Sequence, residues 1–411
     1  MHFSERIKAL QASPIRRLIP YADAAKAKGK KVYHLNIGQP DIKTPKEYFE
    51  AIRNFKAETI AYVASQGLPE LREAISGYYH SWNIPYAPDD ICVTNGGSEA
   101  LALAVQVICD PGDEILIAEP FYANYNAFAE TALAHVVPIP TRAEEGFHLP
   151  PRRVIEELIT PRTRAILVST PNNPTGTVCT AAELEMLAGL AKKYGLYLIA
   201  DEVYREFTYP QSGLPSGDDD PFTSLGHLEN VRDRVIMIDS ISKRYSACGA
   251  RIGCLAIKNE EFIAQVLKLC QARLCVSTLE QVGATALYQK TSKQYLEDVN
   301  KEYRARRDTL YSALKDIPGV ICEKPRGAFY IMAKLPVDDS EKFIIWMLQN
   351  FDVNGETMMG APGSGFYAVP NRGRNEIRLA YVLNQEALVK AAAILKAAVA
   401  AYPGRLEAIQ A

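Results

Sequence analysis

The chain has 411 residues, 48% of them hydrophobic and 23% charged, with a formal net charge of −2. That length exceeds what one hydrophobic core supports, so about two domains are expected in an ordinary soluble globular protein. Near-neutral charge gives no general attraction to nucleic acid or to an anionic membrane, and no apolar run reaches the roughly 18 residues of a membrane span.

From Phe3 to Lys31 a helical pattern broken by Pro14 and Pro20 predicts an N-terminal arm. Glu5, Arg6, Lys8, Arg16 and Arg17 interrupt it, so it lacks the apolar core of a secretion signal and a cytoplasmic location is expected. The eight cysteines (92, 109, 179, 248, 254, 270, 275 and 322) never form Cys-x-x-Cys, and the six histidines show no metal-ligand spacing. Reduced thiols and no metal are the expectation.

Val32 to Asp41 is an apolar run ending in Gly38-Gln39-Pro40, where the backbone turns sharply and exposes its N–H groups; a plain turn reads equally well. Tyr62 lies in an extended segment before a helix starting at Pro69, either as core or with its hydroxyl on an anion. Ile91 to Thr94 then runs into Asn95-Gly96-Gly97-Ser98 and a helix. Successive N–H groups at such a helix start bind an anion without any cation. Gly96-Gly97-Ser98-Glu99-Ala100 also falls one residue short of a Gly-x-Ser-x-Gly nucleophile elbow. Asp201 and His227 follow in the order of an α/β-hydrolase triad, which makes a remote alternative.

Further apolar runs at 114–118, 135–139, 164–169, 196–201, 235–240 and 253–257 read as buried strands. With 91–94 they make about seven, mostly separated by helical stretches, which predicts an α/β fold: a mostly parallel sheet covered on both faces. Ligands of such sheets sit beyond the strand ends. Gly97, Ser98, Tyr122, Asn173, Asp201 and Lys243 each follow a strand closely. Tyr122 packs as core or lies flat on a heteroaromatic ring. Asn173, held by Pro174 in Asn172-Asn173-Pro174-Thr175-Gly176, can donate to a phenolate-like oxygen. Asp201 after Leu198-Ile199-Ala200 wants a cationic partner, and a pyridinium nitrogen is one; Tyr204 falls on the same side if the turn is helical. Leu214 to Asn230, rich in Gly, Pro and Asp, reads as a surface loop.

After the strand Val235–Ile238 come Ser240-Ile241-Ser242-Lys243 and, eight positions on, Arg251 between Gly249 and Gly253. A lysine at a buried strand end is costly unless it loses its charge, which condensation with an aldehyde achieves. Ser240, Ser242 and Arg251 suit a phosphate, so the pair points to pyridoxal 5′-phosphate, while an ordinary strand end with a solvated lysine and an arginine in a surface ion pair is the other reading of these residues alone. The rival Ser-x-x-Lys reading, with Ser240 as nucleophile, needs a later Lys-Thr-Gly, and Lys290-Thr291 is followed by Ser292. A charged helix from Ser292 to Asp316, strand-like 327–332, amphipathic 341–350 and alternating 376–381 carrying Arg378 complete a smaller α+β domain. The expected division is 46–295 for the large domain and 1–45 with 296–411 for the small one.

Together Asn-Asn-Pro-Thr-Gly at 172–176, Asp201-x-x-Tyr204 and Ser240-x-Ser-Lys243…Arg251 make the chain resemble the fold type I pyridoxal-phosphate-dependent aminotransferases of the aspartate aminotransferase superfamily. The resemblance implies that Lys243 holds the cofactor covalently and later carries the proton, and that Asp201 pairs with the ring nitrogen. Asn173 and Tyr204 would bond the ring oxygen, and Tyr122 would stack on the ring. Gly97, Ser98, Ser240, Ser242 and Arg251 would bind phosphate, joined by Tyr62 from the other subunit of a homodimer. Arg378, with Asn173 and the backbone of Gly38, would grip the substrate carboxylate. An L-amino acid, aspartate-type first and alanine or aromatic next, would give its amino group to a 2-oxo acid such as 2-oxoglutarate. A C–S β-lyase on the same scaffold is the alternative. Ser98 and Glu99 stand where some relatives have a lysine for a second carboxylate.

Overall fold

A computed structural model describes residues 2–10, 13–209 and 222–407. β1 (Lys31–His34) is followed by the strands of one seven-stranded sheet: β2 (Ile91–Thr94), β3 (Glu114–Glu119), β4 (His135–Pro140), β5 (Thr163–Ser169), β6 (Tyr197–Asp201), β7 (Val235–Ser240) and β8 (Gly253–Ala256). Its order is β2-β8-β7-β6-β5-β3-β4, and β8 alone runs antiparallel to its neighbours. The predicted α/β sheet is thus present with its predicted strands. The apolar runs have a physical reason: both faces are covered, so both must be apolar. Alternate residues serve two cores. Ile117, Ile199, Ile236 and Ile238 face one; Leu116, Leu198, Val235 and Met237 face the other.

β9 (Tyr330–Lys334), β10 (Glu356–Met359), β11 (Ala361–Pro362) and β12 (Glu376–Ala380) lie late in the chain, with order β11-β12-β9 in a second sheet. β10 pairs in parallel with β1, Lys31 opposite Glu356. Helices Lys293–Lys315, Ser340–Asn350 and Gln385–Ala401 bury one side against these strands in a separate core that includes Leu310, Phe329, Phe343, Leu379 and Leu395. The start of the long charged helix is fixed by Ser292, whose side chain accepts from the Tyr295 N–H.

Two expectations change. Leu214 to Pro221 lies outside the described residues. From Phe222 onward the stretch is no surface loop: Leu225 and Val231 are fully buried, because 3-10 turns at Leu225–His227 and Glu229–Arg234 press them under the sheet. The helix expected at Pro120 begins later, at Asn124, which leaves Phe121 and Tyr122 in the connection after β3.

The sheet brings its chemistry to one edge by register. Ser169 lies opposite Asp201, Asp201 opposite Ile238, Ser240 opposite Gly253, and Gly253 opposite Thr94. Gly253 sits where three backbones converge: an added Cβ would meet Gly96 C at 2.6 Å, Gly97 N at 2.7 Å and Asp239 O at 2.8 Å. Gly77, on an exposed turn of helix Pro69–Ser81, has nothing within 4 Å. Gly253→Ala is therefore expected to destabilise the fold by about 1–3 kcal/mol through overpacking. Gly77→Ala should stabilise it by about 0.5–1 kcal/mol. Urea unfolding of the two variants against the parent checks both signs.

Candidate active site

Ser240 ends β7 and caps the four-residue helical turn Ile241–Arg244, its Oγ accepting from the Ser242 N–H at 3.1 Å and lying 2.8 Å from Ser242 Oγ. That turn lifts Lys243 off the sheet edge. Its Nζ donates to the Gly38 carbonyl at 2.9 Å and lies 3.9 Å from Cys248 Sγ. The rings of Tyr204 and Phe329 flank the amine, with centroids 6.0 and 5.9 Å away. Gly38 therefore meets Lys243 through its carbonyl. Its missing side chain also matters, since a Cβ there would collide with the Tyr330 hydroxyl.

Asp201 is 5% exposed. Tyr125 donates its phenol to Oδ2 at 2.7 Å, and the Val203 N–H reaches Oδ1 at 3.4 Å. Among the described residues it has no ion pair. Burial pushes the carboxyl up to about 6, against the pull of those two hydrogen bonds. Tyr204 is buried three residues on, its hydroxyl 2.8 Å from that of Tyr330.

Across the pocket stands Arg378 on β12, only 1% exposed. Its Nη1 donates to Asn173 Oδ1 at 3.0 Å and its Nη2 to the Asn36 carbonyl. The guanidinium lies over the rings of Tyr330 (4.6 Å) and Phe366 (5.0 Å), while Nε has no hydrogen-bond partner. Burial lowers its pKa, and no carboxylate pairs with it among the described residues. Arg378 lies over Tyr330, whose hydroxyl meets that of Tyr204, the residue three positions after Asp201, so the two charges lie either side of these phenols. Burial raises the Tyr122 hydroxyl, which accepts from Asn124 at 2.8 Å.

Beyond β2, Gly96 takes φ +78° and starts the helix Gly97–Ile108, whose first N–H groups have no intrahelical partners. The Arg251 guanidinium packs against Gly96, where any Cβ would collide with it, and donates to the Asn95 carbonyl at 3.3 Å. Gly97 lies beside Ser240. Gly97, Ser98, Ser240, Ser242 and Arg251 thus form one cup at the sheet edge.

Tyr62 does not join this cluster; it is 79% exposed. The hydrolase triad is not formed either. His227 bonds the Trp82 carbonyl at 2.7 Å and Asp201 bonds Tyr125; among the described residues neither hydrogen-bonds Ser98. Tyr125, Tyr330 and Asn36 are site residues that the sequence reading missed. A signal existed for Tyr125, three positions after Tyr122, whose carbonyl accepts its N–H at 2.9 Å in the turn that leads into the helix.

Residues 30–399 match the family described as "Aminotransferase class I and II". Among curated relatives, the "Probable aspartate/prephenate aminotransferase" of Aquifex aeolicus is 33% identical, covering 94% of this chain and 96% of its own. The "Aspartate aminotransferase" of Bacillus subtilis is 30% identical, covering 95% and 97%. Among solved structures, a Thermus thermophilus aspartate aminotransferase mutant superposes with TM-score 0.87 at 29% identity, over 97% of this chain and all of its own. A Pyrococcus furiosus alanine aminotransferase gives 0.85 at 31%, over 96% and 99%.

The raised pKa of Asp201 has a consequence for stability. Between about pH 4 and 6 the folded chain holds a proton that the unfolded chain has lost, so stability falls as pH rises through that window. Above it, the ionised carboxylate costs folding about 3 kcal/mol. The ligand-free Asp201→Asn variant is expected to be more stable than the ligand-free parent near pH 8, by up to about 3 kcal/mol, and equal to it below about pH 4. Urea unfolding at both ends of the range measures this; a difference that does not vary with pH would mean an ordinary carboxyl.

Proposed function

The chain belongs to the class I and II aminotransferase family, and from that premise we propose a pyridoxal-phosphate-dependent transaminase that moves the amino group of an L-amino acid, aspartate-type first, to a 2-oxo acid such as 2-oxoglutarate. The observation that carries this is a pair of buried, opposite charges, Asp201 and Arg378, that have no ion pair among the described residues, with the Lys243 amine linked to Arg378 through the rings of Tyr204 and Tyr330. Such charges are costly in a protein interior unless something completes them. A protonated ring nitrogen answers the first and a substrate carboxylate the second. The residues fit the cofactor at its other end too: a helix start free of side chains at Gly96 and Gly97, two serine hydroxyls and an arginine suit a phosphate. The relatives matched over most of the chain are transaminases by name, so the β-lyase alternative is not favoured.

When bound, the cofactor supplies an aldehyde for covalent capture of the substrate amine and a ring that withdraws electrons from its Cα. Asp201 Oδ2, steadied by Tyr125, would keep the ring nitrogen protonated. Tyr204 and the amide of Asn173 would serve the ring oxygen, Asn173 having committed its own oxygen to Arg378. Tyr122 would stack on the ring. Arg378, braced by Asn173 and Asn36, orients the amino acid by its carboxylate. Lys243 Nζ would take the proton from Cα and return it to the carbon that was the cofactor's aldehyde carbon, across the shared nitrogen, a positioned transfer worth roughly 10²–10⁴-fold.

We assign residues 46–295 to the domain that holds the cofactor and 1–45 with 296–411 to the smaller one. The exposure of Tyr62, with Ile60 (60%) and Phe49 (49%) exposed nearby, supports a homodimer in which Tyr62 reaches the partner's phosphate cup. At the helix start, Glu99 is paired with Arg273 at 3.2 Å and accepts from the Asn95 N–H at 2.6 Å, so the cation beside it is already taken by a carboxylate of this chain.

Lys243→Ala is expected to abolish both turnover and the covalently held visible chromophore; full activity in that variant would reject the assignment. Arg378→Ala is expected to raise KM for every amino donor by about 10- to 100-fold, the worth of a lost charge-assisted pair. A panel of aspartate, alanine and aromatic donors with 2-oxoglutarate ranks the substrates, and an unchanged KM would move the carboxylate clamp elsewhere.

A further inference from the structure

Four residues of the proposed cofactor site have neighbours in sequence that face the other way. Glu202 follows Asp201, Arg205 follows Tyr204, Asp239 precedes Ser240, and Arg244 follows Lys243. All four neighbours are buried, at 0–1% exposure, and they join in one ion network. Arg205 Nε and Nη2 donate to Glu202 Oε2 at 3.0 and 2.8 Å, and its Nη1 reaches Asp239 Oδ2 at 3.3 Å. Arg244 Nη2 lies 2.9 and 2.7 Å from the two oxygens of Asp239, and its Nε lies 3.3 Å from Glu206. Asp239 also accepts from the Ser240 N–H at 2.7 Å, and Glu202 accepts from Ser224 Oγ and the Leu225 N–H. The Tyr78 ring covers the Arg244 guanidinium at 3.9 Å, while its hydroxyl donates to Glu206 at 2.6 Å.

Net stability is a weak reason for such an arrangement, because apolar side chains of equal volume usually stabilise as well as a buried ion pair. What the network supplies is direction. Each arginine holds two carboxylates from different segments, so the turn after β6 and the helical turn after β7 cannot shift independently. The strand ends that carry the site are tied together from behind.

We propose that the Glu202–Arg205–Asp239–Arg244–Glu206 network is a positioning device, which sets the reach of Lys243 and Ser240 relative to Asp201 and Tyr204. The inference rests on the proposed function and goes beyond it, since none of these five residues meets cofactor or substrate. Misplacing reacting groups by an ångström costs up to about a hundredfold in rate, so even slight loosening is measurable.

The test separates geometry from charge balance in the full-length protein. Arg244→Met leaves Asp239 short of a partner and should lower the unfolding temperature; adding Asp239→Asn removes the orphaned charge and should restore most of it. A positioning role predicts that the double variant, though stable, binds pyridoxal 5′-phosphate about tenfold or more weakly by absorbance titration, and that kcat falls by a similar factor while KM for the amino donor moves less. Arg244→Lys keeps the charge but not the fork, and should show the same weakened binding in a stably folded protein. Wild-type cofactor affinity in either the double variant or Arg244→Lys would overturn the proposal. Failure of the parent protein itself to bind the cofactor would instead overturn the reading on which it rests.

Discussion

A carboxylate sealed at the end of a sheet, answered among the described residues by one phenol and one N–H, is the constraint around which this structure is built. Asp201 cannot relax away from its position. Its carbonyl accepts from Thr170 on one side, and the next N–H, of Glu202, donates to Ile238 on the other, so β5 and β7 clamp the segment. The resulting penalty is visible in the carboxyl, which burial pushes up to about 6. A protein tolerates a group of this kind where something else completes it. The opposite pole, Arg378, is held with equal rigidity by Asn173, Asn36 and two aromatic rings. Between them the backbone is pared to glycine where it comes close: Gly38 against Tyr330, Gly96 against Arg251, Gly253 against the turn after β2.

Most of the large sheet could be read directly from the chain because its strands are buried on both faces and so are apolar along their whole length. The sheet order could not. Nothing in the local sequence of Gly253–Ala256 says that β8 inserts antiparallel between β2 and β7; that is decided by the close approach of Gly253 to Gly96 and Gly97. Residues of the site that follow a strand end beside Gly, Pro or a charged group were found from sequence, as Lys243, Asp201 and Asn173 were. Tyr125 and Tyr330 were not, because a tyrosine among apolar residues looks like packing until its hydroxyl is seen against Asp201 or Tyr204. The serine-triad alternative depended on a near-match to a nucleophile elbow and on chain order, and the fold sends His227 to Trp82 instead.

The pairing of β1 with β10 joins residues 31–34 to 356–359 across more than three hundred positions. Asn36 and Gly38, which take the Arg378 guanidinium and the Lys243 amine, hang from the end of β1. On a ribosome, therefore, the seven-stranded sheet can form while this early strand still waits for its mate, because long-range closures come late. The site draws on residues from both ends of the chain. A nascent chain released before β10 and β12 are made would own a sheet and a reactive lysine but no place for a substrate.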